Sequence, residues 1–156
     1  MKTKKIAKQG IVAAIYVALT VALSAISFGA IQVRVSASMY QLIAYNKKYA
    51  IGLMAGVLIA NAFSPLGPID LVFGGLTSLV GFSLAILINR NVQNKNAKKI
   101  VVAVCVVFGT IFVALELHIL YHIPVLATWA TVAAGQAVSQ IIGIPVFTAI
   151  SKAVEL

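Results

Sequence analysis

Long apolar stretches interrupted by short polar, basic or Pro/Gly-rich breaks set the layout of this chain. The first stretch runs from about Gly10 to Phe28, behind Lys2, Lys4, Lys5 and Lys8, and is followed by a break from Phe28 to Arg34. A second, shorter segment covers about Ser36 to Tyr45 and stops at Asn46, Lys47 and Lys48. The third runs from about Tyr49 to Phe63, where Ser64, Pro65, Leu66, Gly67 and Pro68 make a strong turn signal. The fourth, about Asp70 to Asn89, ends at a polar run holding Arg90, Lys95, Lys98 and Lys99. The fifth covers about Ile100 to Tyr121, and the sixth about Ala127 to Lys152, with Pro145 expected to bend it. At roughly 20 residues per crossing, the pattern predicts an all-α integral membrane protein of six transmembrane helices, forming a single domain over residues 1–156. The second segment is the outlier, because as an α-helix it reaches only roughly 17 Å at 1.5 Å per residue. A tilted, bent or longer course is expected there. No internal repeat emerges.

Composition places these stretches in lipid. With 62% hydrophobic and 10% charged residues, too few polar groups exist to coat a water-exposed globule. The amino terminus resembles a secretory signal, but its apolar stretch is long and further spans follow, so a retained first helix is expected. Cys105 is the sole cysteine and sits in an apolar run, which excludes an intrachain disulfide and a cysteine-rich metal site.

Charge then orients the spans. The formal net charge is +9, but its lysines are split among small breaks instead of gathered on one face, so orientation explains them better than nucleic-acid binding. All Lys and Arg except Arg34 fall on alternate breaks. Basic residues near span ends favour the cytoplasm, so both termini, Lys47 and Lys48, and the run from Arg90 to Lys99 are expected on the cytoplasmic side of the plasma membrane. The breaks near 29–35, 64–69 and 121–126 then face outward.

Those outward breaks hold the unusual polar residues. Gln32, Arg34 and Ser36, with Tyr40 further on, belong to the first; Asn61, Ser64 and Asp70 surround the second. Polar groups at membrane depth are costly unless they pair or line a wet cavity, so their convergence marks a candidate substrate site. Arg34 and Asp70 can pair with each other, and Asp70 also suits a capping role at the positive end of the fourth helix. Glu116 lies late in the fifth helix, with His118, Tyr121 and His122 after it, and a carboxylate there needs a partner, a proton or water. It is the best acidic candidate for ligand recognition. His118 projects from a different face, which argues against a metal site. In the last helix Trp129, Gln136 and Gln140 fall at helical spacing, with Trp129 suited either to the membrane interface or to the ligand.

Two rows of small residues stand out. Gly10, Ala14, Ala18 and Ala22 recur every four residues on the first helix, and Gly52, Gly56 and Ala60 do so on the third. Such rows let helices approach closely. The first row serves either internal packing or docking of a partner subunit; for the second, internal packing is expected. No phosphate-cradling loop, nucleophile elbow or HExxH pair occurs, so neither enzyme activity nor a cofactor is expected. Glu116 keeps open an autonomous proton-coupled carrier.

The phrases GAIQVRVS at 29–36 and GLMAGVLIANAFSPLGPIDLVFGG at 52–75, with the small-residue row of the first helix, resemble the QueT-like group of substrate-binding subunits of energy-coupling factor transporters. The resemblance implies an S-component, a compact membrane bundle that captures a micronutrient at its outer end. Such a subunit works with a transmembrane coupling subunit and two cytoplasmic ATPases, and the coupling subunit meets the alanine row, here Ala14, Ala18 and Ala22. The family name points to a queuosine precursor, a 7-deazaguanine, while related members are associated with cobalamin. The family pattern RxSE reads here as Arg34, Val35, Ser36, Ala37. The missing glutamate removes an acceptor for an aminomethyl-deazaguanine and tilts the expectation towards cobalamin, held in a wide mouth of Gln, Asn, Ser, Tyr and Trp.

Overall fold

The computed structural model describes residues 2–28 and 33–154. All its regular elements are helical. Helix α1 spans Lys2–Ala22, so it begins well before the apolar stretch, and after a kink at Leu23 one further turn follows as α2, Ser24–Ser27. The chain then returns through a 3-10 helix, Val35–Gln41, that passes directly into the single turn α3, Leu42–Tyr45. Helices α4, Tyr49–Asn61, and α5, Pro68–Asn89, follow. The fifth apolar stretch is divided at Thr110 into α6, Lys95–Gly109, and α7, Ile111–Tyr121. Helix α8, Val125–Ala153, runs through Pro145 without ending.

The short second segment owes its reach to its conformation. A 3-10 helix rises about 2.0 Å per residue against 1.5 Å for an α-helix, so Val35–Gln41 covers more depth than an α-helix of equal length. Its hydrogen bonds are poorer, and tertiary contacts hold it. Every residue from Ser36 to Ile43 is buried. Thr20 and Ser36 hydroxyls lie 2.6 Å apart, Tyr16 and Tyr40 hydroxyls 2.7 Å apart, and Gln140 Nε2 donates to the Ala37 carbonyl at 2.8 Å. The segment is thus a polar-sided spine wrapped by α1 and α8, and not the lipid-facing span that a uniform apolar pattern suggests.

Glycine sets the close helix approaches. A Cβ at Gly52 would lie 2.7 Å from the Gln9 carbonyl, and one at Gly56 would lie 3.0 Å from Tyr16 Cβ. The row Gly52, Gly56 and Ala60 therefore packs internally, with α4 running parallel to α1. Its counterpart on α1 does not: Ala14, Ala18 and Ala22 are exposed, and nothing lies within 4 Å of a Cβ built at Gly10.

The protein is a multi-pass, membrane-embedded helical bundle. Pro68–Asn89, Lys95–Tyr121 and Val125–Ala153 are long and apolar enough to cross a bilayer, and Ile6–Ala22 and Tyr49–Asn61 are shorter apolar helices. Large apolar side chains such as Ile51, Leu126 and Ile141 point outward, as lipid as solvent permits. Basic residues from separate loops share one end of the bundle: Lys8 lies over the Tyr49 ring beside Lys48, and Lys95, Lys98, Lys99 and Lys152 line one pocket.

Candidate functional site

At the other end, three elements converge where the entry to the 3-10 helix meets the α4–α5 turn. Arg34 is buried at the extended entry to the 3-10 helix; its guanidinium donates to Asn61 Oδ1 at 3.0 Å and lies 5.2 Å from the centre of the Phe28 ring. Asn61 Nδ2 in turn donates to the Asp70 backbone carbonyl at 3.3 Å. Arg34 and Asp70, which the sequence allows to pair, are bridged by Asn61. Asp70 is buried in the first turn of α5, where its charge suits the helix dipole, but it does not cap that helix; the N-cap is Gly67, at φ 74°. Gly74 makes room for the bridge, because a Cβ there would collide with Asn61 Nδ2 and sit 2.9 Å from Asp70 Oδ1.

Below this bridge lies a small polar cavity of about 30 Å³ lined by Arg34, Tyr40, Thr77, Ser78, Thr110 and Gln136, with Val106, Val113 and Val132 as its apolar wall. That is room for about one water. Around it, the buried polar atoms are unevenly served. Asp70 Oδ2, Thr77 Oγ1, Gln136 Nε2 and both carboxylate oxygens of Glu116 have no hydrogen-bond partner among the described residues. Glu116 is fully buried in α7 and close enough to interact with the charges of Asp70 and Arg34. Unsatisfied buried polar atoms cost about 1–3 kcal/mol each; of these five, Thr77 Oγ1 and Gln136 Nε2 belong to residues that line the cavity, while the Asp70 and Glu116 oxygens lie behind its lining.

Other expected residues have different places. Ser36 is spent on Thr20, and Ser64 Oγ accepts from the Leu66 backbone N–H at 3.2 Å, which braces the turn. Gln140 locks helices together through Gln41 and Ala37. Tyr121 is exposed at the end of α7, and His118 Nδ1 lies 2.7 Å from the Ile123 carbonyl in the local turn. Trp129 packs edge-on against Phe108, ring centres 6.2 Å apart, in the apolar groove between α6 and α8. None of these six lines the cavity. Gln32 lies outside the described residues. Sequence reading missed Thr77, Ser78 and Thr110 on the lining, and also Tyr16 and Thr20 behind it. Tyr16 and Thr20 did carry a signal, being polar and four apart on an otherwise apolar helix. Among the described residues no group of three His, Cys, Asp or Glu side chains can hold a metal.

Comparison with known proteins bears on the guest. The sequence pattern of QueT transporters matches residues 6–152. The chain belongs to the QueT transporter family. It is 36% identical to the queuosine precursor transporter QueT of Lactococcus lactis subsp. cremoris (strain MG1363), over 99% of this chain and 96% of that relative. No solved structure matches. Membership of the QueT family makes this a transport protein and not an enzyme.

The same finding corrects the substrate expectation. Cobalamin was favoured because the RxSE glutamate is missing; the relative is instead a queuosine precursor transporter. Physical reasons agree. Tyr121 and Trp129, expected in the wide mouth of a corrinoid site, lie away from the cavity. Asp70 and Glu116, which can compensate for the missing glutamate, are buried with unpartnered oxygens.

Proposed function

We propose that the chain is the substrate-binding subunit of an energy-coupling-factor-type transporter and captures a queuosine precursor of the 7-deazaguanine class at an outward-facing site. The observation that carries this reading is the set of unpartnered buried acceptors at Glu116 and Asp70 beside the donors Arg34 and Gln136. A deazaguanine offers the matching groups: adjacent ring and exocyclic N–H donors for a carboxylate, and a carbonyl acceptor for a guanidinium or amide N–H. An aminomethyl substituent would bring a cation for the second carboxylate. Tyr40, Thr77 and Ser78 fill in the remaining wall. The cavity is smaller than a nucleobase, so this reading requires the site to open to admit its guest.

In this reading six segments cross the bilayer, with α1–α2, the 3-10/α3 spine, α4, α5, α6–α7 and α8 as successive passes. Lysine placement supports both termini in the cytoplasm. The exposed Ala14, Ala18 and Ala22 row borders a shallow apolar groove with Ala55, Ile59 and Phe63, a smooth face for a helix of the coupling subunit. ATP is hydrolysed by two cytoplasmic ATPase subunits bound to that partner. The test is reconstitution: the purified chain should bind a 7-deazaguanine without ATP, whereas uptake into vesicles should require the coupling subunit and both ATPases. ATP-independent uptake by the chain alone would reject this division of labour.

A further inference from the structure

At the end of the bundle opposite the polar cavity, a second pocket of about 480 Å³ opens between the start of α6 and the end of α8. Lys95, Lys98, Lys99 and Lys152 line it together with Tyr45, Thr148 and Ser151. Lys99 is 7% exposed, an unusual position for an ammonium. Its Nζ donates to Thr148 Oγ1 at 2.8 Å and to Asn96 Oδ1 at 3.2 Å and lies 5.6 Å from the centre of the Tyr45 ring, so each of these partners is neutral. Among the described residues no carboxylate lines this pocket; Asp70 and Glu116 belong to the other end, and Glu155 lies outside the described residues. A buried charge held only by neutral groups is costly, and four lysines on one concavity repel each other. Both costs are relieved by an anion.

We propose that this pocket binds the phosphodiester of an anionic glycerophospholipid. The phosphate oxygens take N–H donors from Lys98, Lys99 and Lys152, Lys99 through the one Nζ–H that its bonds to Thr148 and Asn96 leave free. The start of α6 adds the positive end of its dipole. What favours a lipid over free phosphate is the apolar surface beyond the pocket: Ile100 and Val104, which follow Lys99 along α6, are 58% and 62% exposed, and Val104 lines the apolar groove between α6 and α8, so an acyl chain leaving the pocket along α6 has apolar surface to follow. Basic pockets between helices at a membrane interface recognise headgroups by this chemistry. The lipid would tie the ends of α3, α6 and α8 together at a point where no described side chain supplies the counter-charge.

The experiment is a titration of the detergent-purified full chain with dioctanoyl-phosphatidylglycerol, dioctanoyl-phosphatidylcholine and inorganic phosphate. It is read by thermal unfolding midpoint and by lipid adducts in native mass spectrometry. Phosphatidylglycerol is expected to bind saturably and raise the midpoint, phosphatidylcholine to do neither, and phosphate to act only weakly. Lys98→Gln and Lys152→Gln are each expected to weaken phosphatidylglycerol binding about fivefold, and Lys99→Gln to weaken it at least as much. Should Lys99→Gln fail to fold, the two exposed-side variants carry the test by themselves. Equal binding of the two lipids, or phosphatidylglycerol binding unchanged in Lys98→Gln/Lys152→Gln, would overturn the site. Full protection by phosphate alone would overturn the lipid as its occupant.

Discussion

Gln41 donates its side-chain amide to Gln140 Oε1 at 2.8 Å, joining the 3-10 spine to the last helix deep inside the bundle. Gln140 Nε2 completes the join at the Ala37 carbonyl, 2.8 Å away. A 3-10 segment leaves its backbone groups less well served than an α-helix does, and Gln140 supplies one of the missing partners. The two glutamines therefore hold the segment that presents Arg34 and Tyr40 to the polar cavity.

Removing that join should loosen the spine. Gln140→Leu removes the amide donor at the Ala37 carbonyl and deprives Gln41 of its shorter contact, leaving the Gln41 amide only the Lys99 carbonyl at 3.3 Å. Leaving buried polar groups unpaired costs about 1–3 kcal/mol, although pairs inside lipid average nearer 0.6 kcal/mol. A loss of about 1–2 kcal/mol is expected, seen as a lower unfolding midpoint in detergent. Unchanged stability would mean that the pair is an incidental contact.

Helix α1 has two faces that should respond oppositely to added bulk. Gly56→Leu drives a side chain into Tyr16 and Ala13, so α1 and α4 must separate, and the folded protein should be recovered in much lower yield by size-exclusion chromatography. Gly10→Ala meets open space and should be neutral in the same assay.

The exposed row on α1 is expected to govern assembly and not ligand binding. Ala14→Trp or Ala18→Trp should leave substrate affinity within about twofold, because neither residue touches the bundle interior, yet prevent co-purification with the coupling subunit. Persistence of the complex would assign the row to lipid contact alone.

Sequence and structure part company at particular residues. The turn at Ser64–Pro68, the internal row Gly52, Gly56 and Ala60, and the isolation of Glu116 were legible because Pro, Gly and a lone carboxylate in apolar surroundings each carry a strong local cost. The course of Val35–Tyr45 was legible only as a segment too short for an α-helix; its 3-10 form depends on contacts with Tyr16, Thr20 and Gln140 that lie far away in sequence. Gln136 and Gln140 looked alike four residues apart, yet only Gln140 finds protein partners while Gln136 Nε2 remains unserved. Trp129 turned towards the α6–α8 groove because Phe108 offers its ring there. Substrate choice was misjudged because one missing glutamate was weighed more heavily than the two carboxylates that folding buries near Arg34.

In the proposed mechanism Glu116 and its neighbours recognise a 7-deazaguanine without help from ATP or other subunits. Isothermal titration of the purified chain with an aminomethyl-7-deazaguanine tests it most directly, alongside Glu116→Gln. The wild-type chain should bind one equivalent saturably, and the variant should bind about 10–100-fold more weakly, as loss of a charge-assisted hydrogen bond of about 1.5–3 kcal/mol implies, while unfolding at no lower temperature. Absence of binding by the folded wild-type chain, or equal affinity in Glu116→Gln, would contradict it.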